Sequence, residues 1–100
     1  MVYYVSHCYQ GDPDNISKAA KITHDLQMND QNNCYVCPLL VFSHMGYGEI
    51  GYGQEMELCL DLLSVCDCLI VASHVSDGVR REIEFAKMVN MEVIYIAETN

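Results

Sequence analysis

The sequence predicts a single α/β domain built on a parallel sheet. Short apolar runs alternate with longer segments of helical periodicity along all 100 residues. The run at 67–72 is almost wholly apolar, as a strand covered on both faces must be. Helix-start signals, Gly11-Asp12-Pro13 and Ser76-Asp77-Gly78, follow the first and third apolar runs.

Each element can be justified in turn. Residues 2–7 read as the first strand. Asp12 then suits a helix N-cap and Pro13 the first helical position, where its missing N–H costs nothing. Ile16, Ala19, Ala20, Thr23 and Leu26 give that helix one apolar-to-neutral face. A polar break at 29–33 precedes a second strand at 34–36, and residues 38–42 are expected to continue as an extended apolar segment. Residues 45–53 carry four of the six glycines and two tyrosines, the make-up of a mobile loop that can lie over a ligand. It is no phosphate loop, because no Lys-Ser/Thr follows. A helix at 54–65 turns Met56, Cys59, Leu60 and Leu63 inward. It leads to the third strand (67–72), a helix at 78–90 and a last strand at 92–96. The expected sheet has four or five parallel strands, with 2–7 and 67–72 adjacent at its centre and both nearly fully buried. One domain, 1–100, accounts for the chain, with no internal repeat.

Fourteen acidic against five basic residues give a net charge of −9, which argues against a nucleic-acid partner. No 18-residue apolar run and no basic segment leading into an apolar one occurs, so neither membrane insertion nor secretion is expected and the setting should be cytoplasmic. In such a setting the six cysteines read as free, mostly buried thiols. Cys34 and Cys37 have the spacing of a metal knuckle, but on a strand those positions face opposite sides. A composition 51% hydrophobic on so short a chain points to a homodimer or larger assembly, through the 54–65 helix or the 45–53 loop.

In an open parallel sheet, ligands bind beyond the carboxyl ends of the strands. Three Ser-His pairs fall at or near that edge: Ser6-His7, Ser43-His44 and Ser73-His74. Their separations are unspecific for a metal, and none is expected. The helix opening at Ser76-Asp77-Gly78 presents backbone N–H groups to phosphate or sugar oxygens. Helical spacing places Val79, Glu82, Ile83 and Ala86 on one stripe, so Glu82 borders the buried face, whereas Glu84 and Lys87 are solvated. The helix dipole is expected to hold Glu82 ionised, the state a nucleophile requires. Arg80 and Arg81 adjoin the loop and suit either a phosphate or the surface. The expected ligand-binding set is Ser6, His7, Phe42, His44, Ser76, Asp77 and Gly78.

Several of these segments recur in order in one known family. Tyr4-Val5-Ser6-His7, Gly11-Asp12-Pro13-Asp14-Asn15, Met56-Glu57-Leu58-Cys59-Leu60-Asp61-Leu62-Leu63 running into Cys66-Asp67, and Ser76-Asp77-Gly78 through Glu82 and Ala86 resemble the nucleoside 2-deoxyribosyltransferase-like superfamily, in a branch often encoded by phages or prophages. The resemblance spans nearly the whole chain. It implies a flavodoxin-like (Rossmann-like) three-layer sandwich, usually oligomeric, that acts on N-glycosidic bonds without a cofactor. It also implies Glu82 as the catalytic nucleophile at the anomeric carbon and Tyr4 as the residue that positions it. Ser76 matches the serine that binds phosphate in the related nucleoside 5′-monophosphate N-glycosidases, where the transferases carry Asp. Two positions depart from the pattern. His7-Cys8 stands where the family has Gly-Pro or His-Pro. Cys59 stands where the catalytic branches carry an acid for the leaving base, with Glu55 and Asp61 only out of register. Two functions therefore follow as expectations: cleavage or transfer of the N-glycosidic bond of a nucleotide or nucleoside ligand, or non-catalytic sequestration of an adenosine- or ADP-ribose-type nucleotide signal by a phage anti-defence protein.

Overall fold

The computed structural model describes residues 1–97. Four strands form one all-parallel sheet: β1 (Val2–Ser6), β2 (Cys34–Val36), β3 (Cys68–Val71) and β4 (Glu92–Tyr95), in the order β2-β1-β3-β4. The helices are α1 (Pro13–Asn29), α2 (Pro38–Val41), α3 (Tyr52–Ser64) and α4 (Asp77–Met88). The expected α/β class is therefore present, with β1 and β3 paired at the centre in the register Tyr4↔Leu69 and Ser6↔Val71.

The alternation of side chains along β1 divides the core in two. Tyr4 joins Leu69 and Val71 in packing against Leu63 of α3 and Val79, Ile83 and Ala86 of α4. Val5 turns the other way, into a cluster with Ala19, Cys37 and Ala72 against which Ile22, Leu39 and Leu40 of α1 and α2 rest. Helices thus lie on both faces, a three-layer arrangement consistent with a flavodoxin- or Rossmann-like sandwich. All four residues of β3 are buried. In β1 only Tyr4, Val5 and Ser6 are, while Val2 and Tyr3 at its start are half-buried, less than the expected near-complete burial.

One segment departs from expectation. Residues 38–41 form a short helix rather than extended chain. Pro38 occupies its first turn, and Cys37 keeps the extended backbone that a residue before proline prefers (φ −126°, ψ 125°). Apolar composition alone suits extended chain there, whereas the proline marks a helix start. Elsewhere the local signals hold. Asp12 caps α1, accepting the Asp14 N–H at 3.0 Å, and Pro13 follows it. Helix α3 starts at Tyr52, a little before the expected 54, with Gly51 as its cap residue. All six cysteines are free, with Cys34 exposed at the start of β2 and Cys37 buried just before α2.

No helix among the described residues is long and apolar enough to cross a membrane. The central pairing makes a stability prediction. Leu69, fully buried on β3, should cost about 3 kcal/mol when cut to alanine, whereas Val65→Ala at an exposed position should change stability by less than about 0.5 kcal/mol in urea titrations.

Candidate functional site

The chain leaves β1 in one direction, toward β2, and leaves β3 in the other, toward β4. Their shared carboxyl edge is the switch point at which open α/β sheets leave a crevice. A cavity of about 400 Å³ opens there, between that edge, the start of α4 and the inner side of α3. His7 of the β1 end, Ser76, Asp77 and Gly78 of the α4 start, and Glu55 and Cys59 of α3 all line it.

Glu82 forms its floor and is only 5% exposed. Two hydroxyls from alternate residues of β1 reach its carboxylate. Ser6 Oγ donates to Oε1 at 2.7 Å, and Tyr4 Oη donates to Oε2. Period-2 geometry makes this possible, because residues 4 and 6 of the strand point to the same face. Each oxygen accepts one donor, which fixes the carboxylate plane and stabilises its anionic form. Burial opposes them and wins: the Glu82 carboxyl is pushed up to about 7. That corrects the expectation of a group held ionised by the helix dipole. Glu82 sits in the second turn of α4, beyond the residues on which the dipole acts strongly, and desolvation dominates there. The Tyr4 phenol is driven well above its ordinary value, first by burial and then by the Glu82 charge, so it stays a donor.

Cys59 faces the same space from α3. Its thiol is pushed up to about 12 by burial, and next by the charge of Glu82, so it is neither a thiolate nor an effective acid. Glu55, one turn earlier, also lines the cavity. At the α4 start, Ser76 Oγ caps the helix by accepting the Val79 N–H at 3.3 Å. Asp77 accepts from Arg80 at 2.6 Å and from the Tyr52 hydroxyl at 2.9 Å, and Arg81 lies 3.2 Å from it. These partners hold the Asp77 carboxyl below its ordinary range, the Arg80 hydrogen bond foremost. Arg81 also lies over the Tyr52 ring, 5.4 Å from its centroid.

A smaller apolar compartment of about 100 Å³ adjoins the cavity and shares Tyr9, Pro38, Leu39, Tyr47, Glu55 and Cys59 with it. Tyr47 comes from the glycine-rich loop and meets the Tyr9 ring edge-on, with centroids 5.3 Å apart. The close fit explains Gly11, whose φ is +75° and whose added Cβ would sit 3.0 Å from the Tyr47 ring.

The expected residues are thus brought together unevenly. Tyr4 and Glu82 meet, and His7, Ser76, Asp77 and Gly78 line the main cavity. Phe42 and Ser43 line the apolar compartment. Ser6 is fully buried behind Glu82, so it serves the carboxylate and offers nothing to a ligand. His44 lines neither compartment, although its ring lies 6.5 Å from that of Phe42. Ser73 and His74 turn toward Cys8: Ser73 Oγ accepts the Cys8 N–H at 2.8 Å and Cys8 Sγ lies 3.9 Å from His74 Nδ1. Arg80 and Arg81 pair with Asp77 and do not line the cavity. Tyr9 was not expected in the site, whereas Tyr52 comes from the segment expected to lie over a ligand and Glu55 is the out-of-register carboxylate beside Cys59. Tyr52, Glu55 and Cys59 share one helical stripe, an extension by one turn of the inward face read for α3. Among the described residues no group of three His, Cys, Asp or Glu is arranged to hold a metal.

No protein-family model matches the chain, and no curated protein matches it.

The Glu82 environment predicts a particular pH dependence of stability. A carboxyl at about 7 in the folded chain and near 4.5 when unfolded binds its proton more tightly when folded. Stability should therefore fall as pH rises through that window, by up to about 3 kcal/mol relative to Glu82→Gln, in which this contribution is absent. Paired urea titrations of the two proteins between about pH 4 and pH 8 measure the difference directly. Tyr4→Phe removes a donor to the anion and should extend the falling limb to higher pH while its onset near 4.5 stays put.

Proposed function

We propose that the chain binds a nucleoside- or nucleotide-type ligand at the carboxyl edge of its sheet and cleaves or transfers the N-glycosidic bond through Glu82. The observation that carries this reading is one buried carboxylate, oriented by two hydroxyls of β1, at the floor of a cavity with an aromatic annexe. Such a carboxylate suits attack on an anomeric carbon, because its partners leave lone pairs free while setting its direction. Attack gives a glycosyl ester through an oxocarbenium-like transition state, and water or a second base then takes the sugar. An anionic floor also stabilises the positive charge that develops on the sugar ring. The motif resemblance to deoxyribosyltransferase-like proteins supports the same roles for Tyr4 and Glu82.

One observation favours a second reading. The position expected to hold an acid holds Cys59, a thiol at about 12 that gives little help to a departing neutral base. A chain in which only binding persists would sequester its ligand, as a phage anti-defence protein does with a host nucleotide signal.

Base release from a panel of nucleosides and nucleoside 5′-monophosphates, wild type beside Glu82→Gln, tests the two. Catalysis predicts turnover that rises with pH through about 7, because Glu82 must ionise, and that falls by about 10³-fold or more in Glu82→Gln while ligand binding survives. Undiminished activity in the variant refutes the nucleophile. Tight binding of a panel member with no base release establishes the sequestering reading.

A further inference from the structure

Three features of the cavity bear on which ligand it takes, given the glycosidic reading above on which this inference rests. The first is charge. Glu55, Asp77 and Glu82 line the cavity, while none of the five Lys and Arg residues lines either compartment. The two nearest guanidiniums are committed: Arg80 bridges Asp77 and Glu84 at 2.6 Å each, and Arg81 pairs with Asp77. The second is aromatic surface. Tyr9 and Tyr47 border both compartments and Phe42 the inner one, and ring faces attract cations. The third is the leaving group. A neutral base departs from C1′ as an anion unless it is protonated, and the wall shared by the two compartments carries the Cys59 thiol where the motif resemblance expects an acid.

We infer that the site takes a nucleoside whose base is already cationic, an N-ribosyl pyridinium or an equivalent N-alkylated purinium, and without a 5′-phosphate. Such a base solves the proton problem by its own electronics. Glu82 attacks C1′, the C1′–N bond breaks, and its electron pair neutralises the ring nitrogen, so the base leaves uncharged with no proton transferred. Water then attacks C1′ of the ester, restores the Glu82 carboxylate and releases the sugar, with the proton passing to solvent. Glu55 stands at the junction of the two compartments, where its carboxylate accompanies the cationic ring. Among the described residues the α4 start offers a phosphate dianion no free cation beside its N–H groups, since Asp77 and Glu84 engage Arg80 and Asp77 engages Arg81.

The test uses nicotinamide riboside, its 5′-monophosphate, its neutral dihydro form and adenosine. Calorimetry on Glu82→Gln compares binding without turnover, and chromatography follows base release by the wild type. The riboside should bind on the order of 10-fold more tightly than its neutral dihydro form. It should also be cleaved with kcat/KM on the order of 100-fold above adenosine, after subtraction of the uncatalysed rates. Glu55→Gln should lose most of the binding preference when compared in the Glu82→Gln background, and with Glu82 intact it should raise KM for the riboside more than it lowers kcat. Equal affinity for the charged and neutral forms, or adenosine cleaved as fast, overturns the inference and leaves the glycosidic reading standing. So does loss of all cleavage in a folded Glu55→Gln, which would make Glu55 the missing acid. Tighter binding of the monophosphate than of the riboside overturns the exclusion of phosphate. No binding and no base release from any of the four, or from the wider nucleoside panel, sinks both readings together.

Discussion

Burying the Glu82 carboxylate is the constraint around which the site is organised. A carboxyl removed from water beneath a cavity is costly unless donors replace the lost solvent. Here the donors are Tyr4 and Ser6, and they reach it only because three conditions hold at once. β1 must pair with β3 so that its even-numbered side chains face α4. Helix α4 must start at Ser76, whose hydroxyl caps it, so that residue 82 falls on the inner stripe with Val79, Ile83 and Ala86. Helix α3 must cover the cluster from above, which Leu63 achieves by packing with Tyr4 and Val79 in the same core. The same residues serve stability and placement: Tyr4 is among the largest fully buried side chains and is also the donor to Glu82. Among the described residues no buried side-chain nitrogen or oxygen lacks a partner, so the cluster is complete before any ligand arrives.

The balance struck at Glu82 has a chemical sense. Two hydroxyl donors alone would hold the carboxyl low and make it a weak base and a poor nucleophile. Burial alone would keep it protonated. Together they leave it near 7, where a large fraction is ionised at neutral pH and the anion retains reactivity. In the glycosidic reaction proposed above, a thiol at Cys59 gives little acid help, so the charge of the departing base becomes the informative variable.

Much of the fold was legible because its signals are local. Asp12-Pro13 and Ser76-Asp77-Gly78 mark helix starts by capping chemistry, and the unbroken apolar run at 68–71 marks a central strand. The failure at 38–41 came from weighing apolar composition above the proline at its head. In the site, the pairing of Tyr4 with Glu82 matches the motif resemblance, and strand periodicity puts Ser6 on the same face as Tyr4; what the sequence does not show is that Glu82 closes over both hydroxyls and leaves Ser6 fully buried. The place of Glu55 and Tyr52 on the first turn of α3 was not legible, because their stripe looks like ordinary amphipathicity and only the fold shows that this turn borders a cavity. The raised Glu82 carboxyl was invisible for a related reason: the dipole is read from sequence position, whereas desolvation depends on everything packed above the residue.

The central claim is that Glu82 is a buried but ionisable carboxylate held by Tyr4 and Ser6. Isotope-edited infrared spectroscopy of the glutamate carboxyls, wild type minus Glu82→Gln across a pH series, measures it most directly. The account predicts one carboxyl that converts from the protonated to the ionised band at about pH 7, with a midpoint moved upward in Tyr4→Phe. A difference band that titrates at about 4.5, like an exposed glutamate, or that is unmoved by Tyr4→Phe, would contradict it.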